Sequence, residues 1–199
     1  MKPIDFWFSI GSTYSYLTVM RLPTFAKDHG VTFNWRPFNV RTILIEQDNI
    51  PFAGKPVKAA YMWRDIERRA AKYALGVTLP APYPLEQLPL ANQVAILGML
   101  EGWGQDYVIV TYKKWFQDGQ PAGNEPNLSE SLREIGQNPE RVIKAASSPA
   151  IEVALSEETE VAKTLGVFGA PSFVVEGEVF WGDDRLNDAV SWARGGRVT

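Results

Sequence analysis

The segment IDFWFSIGSTYS, residues 4–15, changes from a strand pattern to a helix pattern at Gly11. Residues 4–10 are aromatic and β-branched, which favours a strand, and helical spacing begins after Ser12. Ser12 therefore stands at a helix N-cap, where a hydroxyl lies beside free backbone N–H groups and the positive end of the helix dipole. This setting stabilises an adjacent anion, while a plain capping role for Ser12 stays open on this segment alone.

A second segment, GAPSF at residues 169–173, precedes another strand pattern. A proline ahead of a strand cannot donate to the ladder, so Pro171 indicates an edge position, a simple turn or a shaped peptide that is often cis. A cis Ala170-Pro171 bond would turn a backbone edge outward. Together with Ser12, this segment resembles a thioredoxin-type active site in which hydroxyls replace the reactive cysteines. The chain contains no cysteine, which excludes redox chemistry by protein thiols.

The order of the remaining patterns predicts an α/β fold, namely a thioredoxin fold interrupted by a large all-α insertion. A first helix at 13–28, which Pro23 is expected to kink, leads to a second strand at 31–38. The chain closes with a β-hairpin and a helix that Asp184 is expected to cap. The helices expected between the second strand and the hairpin lie near residues 57–76, 90–102, 105–117, 127–136, 139–146 and 150–165, the first of them ending at Gly76, and the hairpin strands at 173–175 and 178–181.

Size and composition agree with one domain that carries an insert. With 199 residues, 45% hydrophobic content and seven tryptophans, the chain can bury a full core without disulfides or metal. The element order divides it into a discontinuous thioredoxin-like domain and an α-helical insertion domain. The expected bounds are 1–56 and 167–199 for the first domain and 57–166 for the second.

Charge and hydropathy argue against several partner classes. The formal net charge of −3 argues against general nucleic-acid binding. No apolar run approaches 18 residues and no basic leader is present, so we expect a cytoplasmic protein without membrane association. His29 is the only histidine and stands at a predicted helix end. Neither a Ser-His-Asp triad nor a histidine-rich metal site is therefore expected.

An ordered set of motifs extends the resemblance over nearly the whole chain. The set comprises STYSYL at 12–17, Asn49 with Lys58 nine residues later, GVFGAPSF at 166–173 and FWGDDR at 180–185. It resembles the kappa-class glutathione transferases and the bacterial 2-hydroxychromene-2-carboxylate isomerases, which share a DsbA-like architecture. The pattern Trp181-Gly182-x-Asp184-Arg185 looks more like the isomerase branch.

The resemblance implies a glutathione site, with Ser12 as its catalytic residue. The Ser12 hydroxyl would hydrogen-bond the sulfur of the tripeptide and keep it as a thiolate. A free thiol, with a pKa of about 8.5, is mostly protonated at neutral pH. One good donor contributes roughly 1.5–3 kcal/mol toward the charged form, which is one to two pKa units.

The same resemblance assigns the other glutathione contacts. The backbone of Ala170, before Pro171, would pair with the cysteinyl unit, and Lys58 and Asn49 would hold the glycyl end. Asp184, with the adjacent N–H groups, would engage the γ-glutamyl amine and carboxylate. Each side chain also has a plainer interpretation: a solvated helix residue for Lys58, a turn former for Asn49 and an N-cap for Asp184. Their joint occurrence favours the glutathione site.

Three positions depart from the family pattern. Thr13 stands where the family usually has proline, and Ser9 stands where it often has aspartate. Asp183 stands where the kappa transferases carry serine, which puts an acid near the expected γ-glutamyl carboxylate. Either the Asp183 side chain points away from the ligand or it binds the amine.

The resemblance implies a reversible, glutathione-dependent isomerisation of 2-hydroxychromene-2-carboxylate to trans-o-hydroxybenzylidenepyruvate, in aromatic hydrocarbon catabolism. The thiolate would add to the conjugated system, allow rotation about the former double bond and then leave, so glutathione is not consumed. The alternatives are a kappa-like transferase that conjugates electrophiles and a non-catalytic thioredoxin-fold binding protein. Relatives of this fold often form homodimers. Aromatic candidates for a pocket that accepts a flat substrate are Trp7, Tyr14, Tyr61, Trp63 and Trp181.

Overall fold

A mixed sheet forms the centre of the molecule in the computed structural model, which describes residues 1–52 and 54–198. Strand β1, Ile4–Phe8, is parallel to β2, Phe33–Pro37. On its other side β1 is antiparallel to β3, Ser172–Val175, which forms a hairpin with β4, Glu178–Trp181. The strand order is β2-β1-β3-β4. Central β1 therefore directs its C-terminal end, and the loop to Ser12, toward the start of β3.

Helices fill the connections between these strands. Between β1 and β2 lie α1 (Thr13–Val19) and α2 (Leu22–His29). Between β2 and β3 lie α3 (Val40–Glu46), α4 (Pro56–Lys72), α5 (Leu88–Glu101), α6 (Gly104–Gln117), α7 (Asn127–Glu134), α8 (Pro139–Ala146) and α9 (Pro149–Thr164). After β4, a single 3-10 turn at Asp183–Arg185 leads into α10 (Leu186–Gly195). This order agrees with the predicted one.

Both faces of the sheet are covered. Along β1, Phe6 and Phe8 point to one face and Trp7 to the other, as strand alternation requires, and all three are buried. Phe6 and Phe8 belong to a large cluster that also contains Tyr112 of α6. Trp7 belongs to a smaller cluster and packs edge-on against Phe38. Because the large cluster joins strand and helix residues, the helices after β2 share a core with the sheet, and the division into two domains stays a prediction.

The first helical segment is broken rather than kinked. Helix α1 ends at Val19 and α2 begins at Leu22, with Pro23 in the first turn of α2. Proline fits that position because the first-turn N–H that it lacks would have no partner within the helix. The prediction of one kinked helix is therefore wrong. The predicted stop at Gly30 is confirmed, since Gly30 takes the left-handed conformation there.

Helix α4 ends earlier than predicted. Its last residue is Lys72, four residues before Gly76. The N–H of Leu75 donates to the Ala70 carbonyl at 2.9 Å, and Ala74 takes a positive φ of 54°. The chain therefore leaves the helix through a left-handed alanine, a step that glycine makes more easily and that the sequence did not indicate.

The last helix also begins later than predicted. Asp184 lies within the 3-10 turn, in which the Arg185 N–H donates to the Gly182 carbonyl at 3.1 Å. The regular helix starts only at Leu186. The prediction that Asp184 caps this helix is therefore wrong, because the intervening turn already satisfies the backbone near its start.

Candidate active site

The loop between β1 and α1 presents Ser12. Ser12 has an extended backbone, with φ −84° and ψ 119°, and its Oγ accepts a hydrogen bond from the Ser15 N–H at 3.4 Å. The Ser12 N–H donates to the Ser9 carbonyl at 2.9 Å, which closes the turn. Gly11 is required in this turn because its φ is +133° and a Cβ there would lie 2.3 Å from Leu88 Cδ1. The capping role of Ser12 is confirmed, and capping leaves the hydroxyl proton available to another acceptor.

Two buried side chains from the helices hold this loop. Asn92 of α5 accepts a hydrogen bond from the Ile10 N–H at 2.8 Å and donates to the Ile10 carbonyl at 2.9 Å. The Tyr112 hydroxyl of α6 lies 2.8 Å from the Ser9 carbonyl and 3.1 Å from the Ser12 carbonyl. Burial raises the pKa of Tyr112 far above its ordinary value, so the hydroxyl remains a donor. The helical segment therefore positions the loop that carries Ser12.

We expect Tyr112→Phe to destabilise this loop. The substitution keeps the ring but removes the donor shared by the buried Ser9 carbonyl and the partly buried Ser12 carbonyl, which should lower the free energy of unfolding by about 1–3 kcal/mol. Urea denaturation measures this change. Tyr107→Phe is the matched control, because Tyr107 is equally buried on α6 and makes no hydrogen bond to the loop among the described residues. Equal losses in both variants would contradict a specific role for the Tyr112 hydroxyl.

The segment before β3 meets Ser12 directly. The Ala170-Pro171 peptide is cis. The Ser12 Oγ donates to the Ala170 carbonyl at 2.7 Å, across 158 residues of chain. The Gly182 N–H donates to the Pro171 carbonyl at 2.9 Å, which joins this segment to the end of the hairpin. The two motifs quoted from the sequence therefore form one structural unit.

A cavity of about 450 Å³ opens beside this unit. Its size falls within the range of small-molecule sites. Apolar and aromatic side chains make up most of the wall, and polar groups occupy one part of it. The lining residues are Gly11, Ser12, Thr13, Tyr14, Val40, Leu44, Asn49, Pro51, Phe52, Lys58, Tyr61, Met62, Tyr83, Phe168, Ala170 and Trp181.

The structure brings together four of the seven residues assigned to glutathione. Ser12, Asn49, Lys58 and Ala170 all line the cavity. Pro171 follows Ala170 in the chain, is buried and is not among the lining residues. Asn49 and Lys58 are exposed, so their polar groups are open to a ligand in water. The arrangement fits the predicted contacts, and the roles themselves stay predictions.

Asp183 lies outside the cavity lining and is buried. Its carboxylate accepts from Arg69 Nη2 at 2.8 Å and Nε at 3.1 Å, and Arg21 Nη2 lies 3.6 Å away. Arg21 also donates to the Asp183 main-chain carbonyl. Burial raises the pKa of Asp183, and the two guanidinium groups oppose that shift. The Asp183 side chain therefore points toward Arg69 and Arg21 and away from the cavity, which is the first of the two predicted orientations.

Asp184, unlike the buried Asp183, has an exposed side chain. Its side chain is 47% exposed and contacts only the adjacent Arg185 among the ion pairs of the described residues, at 3.4 Å. An exposed carboxylate with a loose partner remains free to bind a ligand amine. Asp184 therefore keeps its predicted γ-glutamyl role as a proposal.

The predicted aromatic lining divides into two groups. Tyr14, Tyr61 and Trp181 line the cavity. Trp7 does not, because it is fully buried and packs against Phe38. Trp63 is not among the lining residues. It packs edge-on against Tyr83, which does line the cavity.

Several residues that line the cavity were not predicted from the sequence. Val40 and Leu44 lie on α3, a helix absent from the predicted elements, whose only local signal is the cap by Asn39. Phe52 and Tyr83 come from irregular segments, which have no periodicity to reveal a buried face. Phe168 stands two residues before Ala170, so the motif itself could have indicated it.

Tyr14 adds a hydroxyl to the cavity wall. It donates to Asp65 Oδ2 at 3.1 Å. Burial, followed by the negative charge of Asp65, raises the Tyr14 pKa far above its ordinary value. Tyr14 therefore keeps its proton at neutral pH and donates it in the hydrogen bond to Asp65.

Other kinds of site are not apparent in the described part of the chain. Within residues 1–52 and 54–198, no three His, Cys, Asp or Glu side chains converge in a way that could hold a metal ion. The same residues contain no helix with the length and apolarity that a bilayer crossing requires.

The sheet order, the cis-proline segment and the helical insertion define a thioredoxin-fold protein of the DsbA type. The chain belongs to the DSBA-like thioredoxin domain family, whose model matches residues 3–191. This confirms the fold class and the resemblance read from the motifs.

Curated relatives and solved structures refine this placement. A 2-hydroxychromene-2-carboxylate isomerase from Sphingobium xenophagum is 29% identical over 94% of this chain and 95% of its own length. The glutathione S-transferase kappa 1 of Caenorhabditis elegans is 25% identical over 92% of this chain and 87% of its own length. A solved 2-hydroxychromene-2-carboxylate isomerase superposes with a TM-score of 0.84 at 26% identity, over 97% of this chain and 94% of that one. The chain is thus similar to enzymes of both branches.

Proposed function

We propose that the protein is a glutathione-dependent isomerase that interconverts 2-hydroxychromene-2-carboxylate and trans-o-hydroxybenzylidenepyruvate. The observation that carries this proposal is the Ser12 hydroxyl, held against Ala170 at one wall of a cavity that is otherwise rich in apolar and aromatic side chains. The relatives named as such isomerases support it, because the first of them aligns over nearly the full length of both chains.

The residues present fit the chemistry of glutathione. The tripeptide offers a thiol, two amides and two carboxylates, and the cavity offers a hydroxyl, a backbone edge and a lysine. Lys58 and Asn49 would hold the glycyl carboxylate by charge and hydrogen bonding. The backbone of Ala170, before Pro171, would pair with the cysteinyl unit.

The γ-glutamyl end would bind at the turn after β4. Asp184 would take the amine, with the adjacent N–H groups near the carboxylate. Asp183 would contribute by fixing this turn, since its carboxylate is committed to Arg69 and Arg21. The binding role predicted for Asp183 is thereby proposed as an indirect one.

Bound glutathione would supply a nucleophilic thiol that is regenerated at the end of each turnover. Ser12 would donate a hydrogen bond to the sulfur and so favour the thiolate form. The apolar wall, which includes Phe52, Tyr83 and Trp181, would bind a flat aromatic substrate and exclude water. Tyr14 would contribute its ring to this wall, since its one hydroxyl proton is donated in the hydrogen bond to Asp65.

The proposal is tested by adding glutathione and chromene carboxylate separately and together. We expect glutathione to bind, with an ultraviolet thiolate signal at a lower pH than in free glutathione, and the chromene to isomerise only when glutathione is present. Glutathione should be recovered unchanged, since the reaction does not consume it. Turnover without glutathione, or no glutathione binding, would contradict the proposal, and the latter result would favour the non-catalytic binding protein.

The transferase alternative is supported by the curated relative named glutathione S-transferase kappa 1. It would use the same Ser12 and the same cavity. An aryl halide separates the two activities, because conjugation consumes glutathione in proportion to product whereas isomerisation does not. Consumption of glutathione with no chromene turnover would establish the transferase instead.

A further inference from the structure

The Ser12 hydroxyl already has an acceptor. Its Oγ donates to the Ala170 carbonyl at 2.7 Å, a normal distance for a hydroxyl donor. A hydroxyl carries one proton and so makes one strong donation at a time. The bond from the Ser15 N–H, at 3.4 Å, uses Ser12 Oγ as an acceptor and does not release the proton. A ligand sulfur must therefore compete with Ala170 for Ser12.

The Ala170 carbonyl loses a donor when Ser12 turns away. Ala170 is only partly exposed, so water does not fully replace the lost donor. A partly buried carbonyl left without a donor opposes the change, by a factor of about five in equilibrium constant. The Ser12 hydroxyl therefore turns its hydrogen bond from Ala170 to the sulfur favourably only if something else donates to Ala170.

A cysteinyl ligand can bring that donor with it. Its amide N–H is attached to the carbon next to the thiol-bearing carbon, so the N–H and the sulfur lie close together in any conformation. Simple thiols such as 2-mercaptoethanol have no N–H. The cavity places Ser12 and Ala170 side by side, where one such ligand can reach both.

We propose that Ser12 and Ala170 form an exchange switch, in which an amide N–H of the ligand replaces Ser12 on the Ala170 carbonyl and so releases the Ser12 hydroxyl to the sulfur. The inference rests on the proposed glutathione site and specifies its substrate class. The site activates thiols that carry a neighbouring amide N–H and leaves simple thiols protonated.

The test compares glutathione with a depsipeptide analogue in which an ester oxygen replaces the cysteinyl N–H. Each is titrated into wild type and into Ser12→Ala, and binding and thiol ionisation are recorded by calorimetry and ultraviolet absorbance. In wild type, the bound analogue should ionise at a pH about half to one unit higher than bound glutathione. In Ser12→Ala, the two bound ligands should ionise at the same pH, because no hydroxyl remains to be released.

The outcomes separate the switch from the proposed function. If both ligands bind wild type and ionise at the same pH, the switch is wrong and the glutathione site stands. If glutathione does not bind wild type at all, both are wrong. A difference that persists in Ser12→Ala would also overturn the switch, since it would arise without Ser12. The wild-type comparison decides the matter even if Ser12→Ala is poorly folded.

Discussion

We expect Ser12→Ala to lower kcat/KM for the proposed glutathione-dependent reaction by about tenfold to a hundredfold, because it removes one donor to the charged sulfur. The fold should remain, because the substitution removes only two hydrogen bonds of Ser12 Oγ, the long capping bond of 3.4 Å and the bond to Ala170. The expected loss of stability is about 1 kcal/mol. Steady-state kinetics at fixed glutathione, together with thermal denaturation, measure both effects.

The pH dependence distinguishes a thiolate role for Ser12 from a merely structural one. A donor to the sulfur favours the charged form and lowers the thiol pKa, so removing it raises that pKa toward the value of about 8.5 for a free thiol. The activity profile of Ser12→Ala should therefore shift to higher pH, and the gap to wild type should narrow in alkaline solution. A gap of constant size across the pH range would contradict the thiolate role.

Asn138→Ala provides the matched control for loss of a helix cap. Asn138 caps α8 and accepts from the Arg141 N–H at 2.9 Å, a shorter bond than the cap made by Ser12. It is not among the cavity residues. We expect this variant to lose stability, by about 1 kcal/mol, with activity unchanged. A similar loss of activity in both variants would mean that helix stability, not the hydroxyl, limits the reaction.

The parts of the fold that the sequence predicted are those with local signals. Strand β1, the turn at Gly11, the capping by Ser12 and the hairpin each follow from spacing or from one residue's conformational preference. The proximity of Ser12 and Ala170 follows from the resemblance of their two motifs to a thioredoxin-type active site, and not from a local signal. The left-handed Ala74 and the short α3 had no comparable signal.

Contacts between distant segments could not be derived in the same way. Tyr112 reaches the Ser9 carbonyl across 103 residues, and no periodicity in α6 distinguishes it from the other buried aromatics there. The cavity wall depends on Phe52 and Tyr83, which lie in irregular segments. Such residues become functional through the packing of the helices, which sequence spacing alone does not determine.

Asp183 shows the same limit with a larger energetic consequence. Its sequence position placed a carboxylate where a negatively charged ligand group was expected. The structure neutralises it with Arg69, which lies 114 residues earlier on α4, and with Arg21 at the junction of α1 and α2. The buried side chain therefore joins three segments of the chain around the turn that carries Asp184.

Asp183→Asn should destabilise the protein by about 3 kcal/mol, because two largely buried guanidinium groups lose their compensating charge. This corresponds to a fall of roughly 6–12 °C in the melting temperature for a chain of this size. The amide keeps the shape of the carboxylate, so cavity formation does not contribute. Differential scanning calorimetry measures the shift.

Asp184→Asn is the control, since it changes the same atoms one residue later on an exposed side chain. The surface contact of Asp184 with Arg185 contributes little, so stability should change by no more than about 0.5 kcal/mol. Glutathione binding should follow the opposite order, with Asp184→Asn weakening it more than Asp183→Asn below the melting transition. If Asp183→Asn has the same melting temperature as wild type, the ion pairs of Asp183 with Arg69 and Arg21 do not fix the turn. If it also reduces glutathione binding more than Asp184→Asn does, Asp183 contacts the ligand directly and its pairing with Arg69 must change on binding.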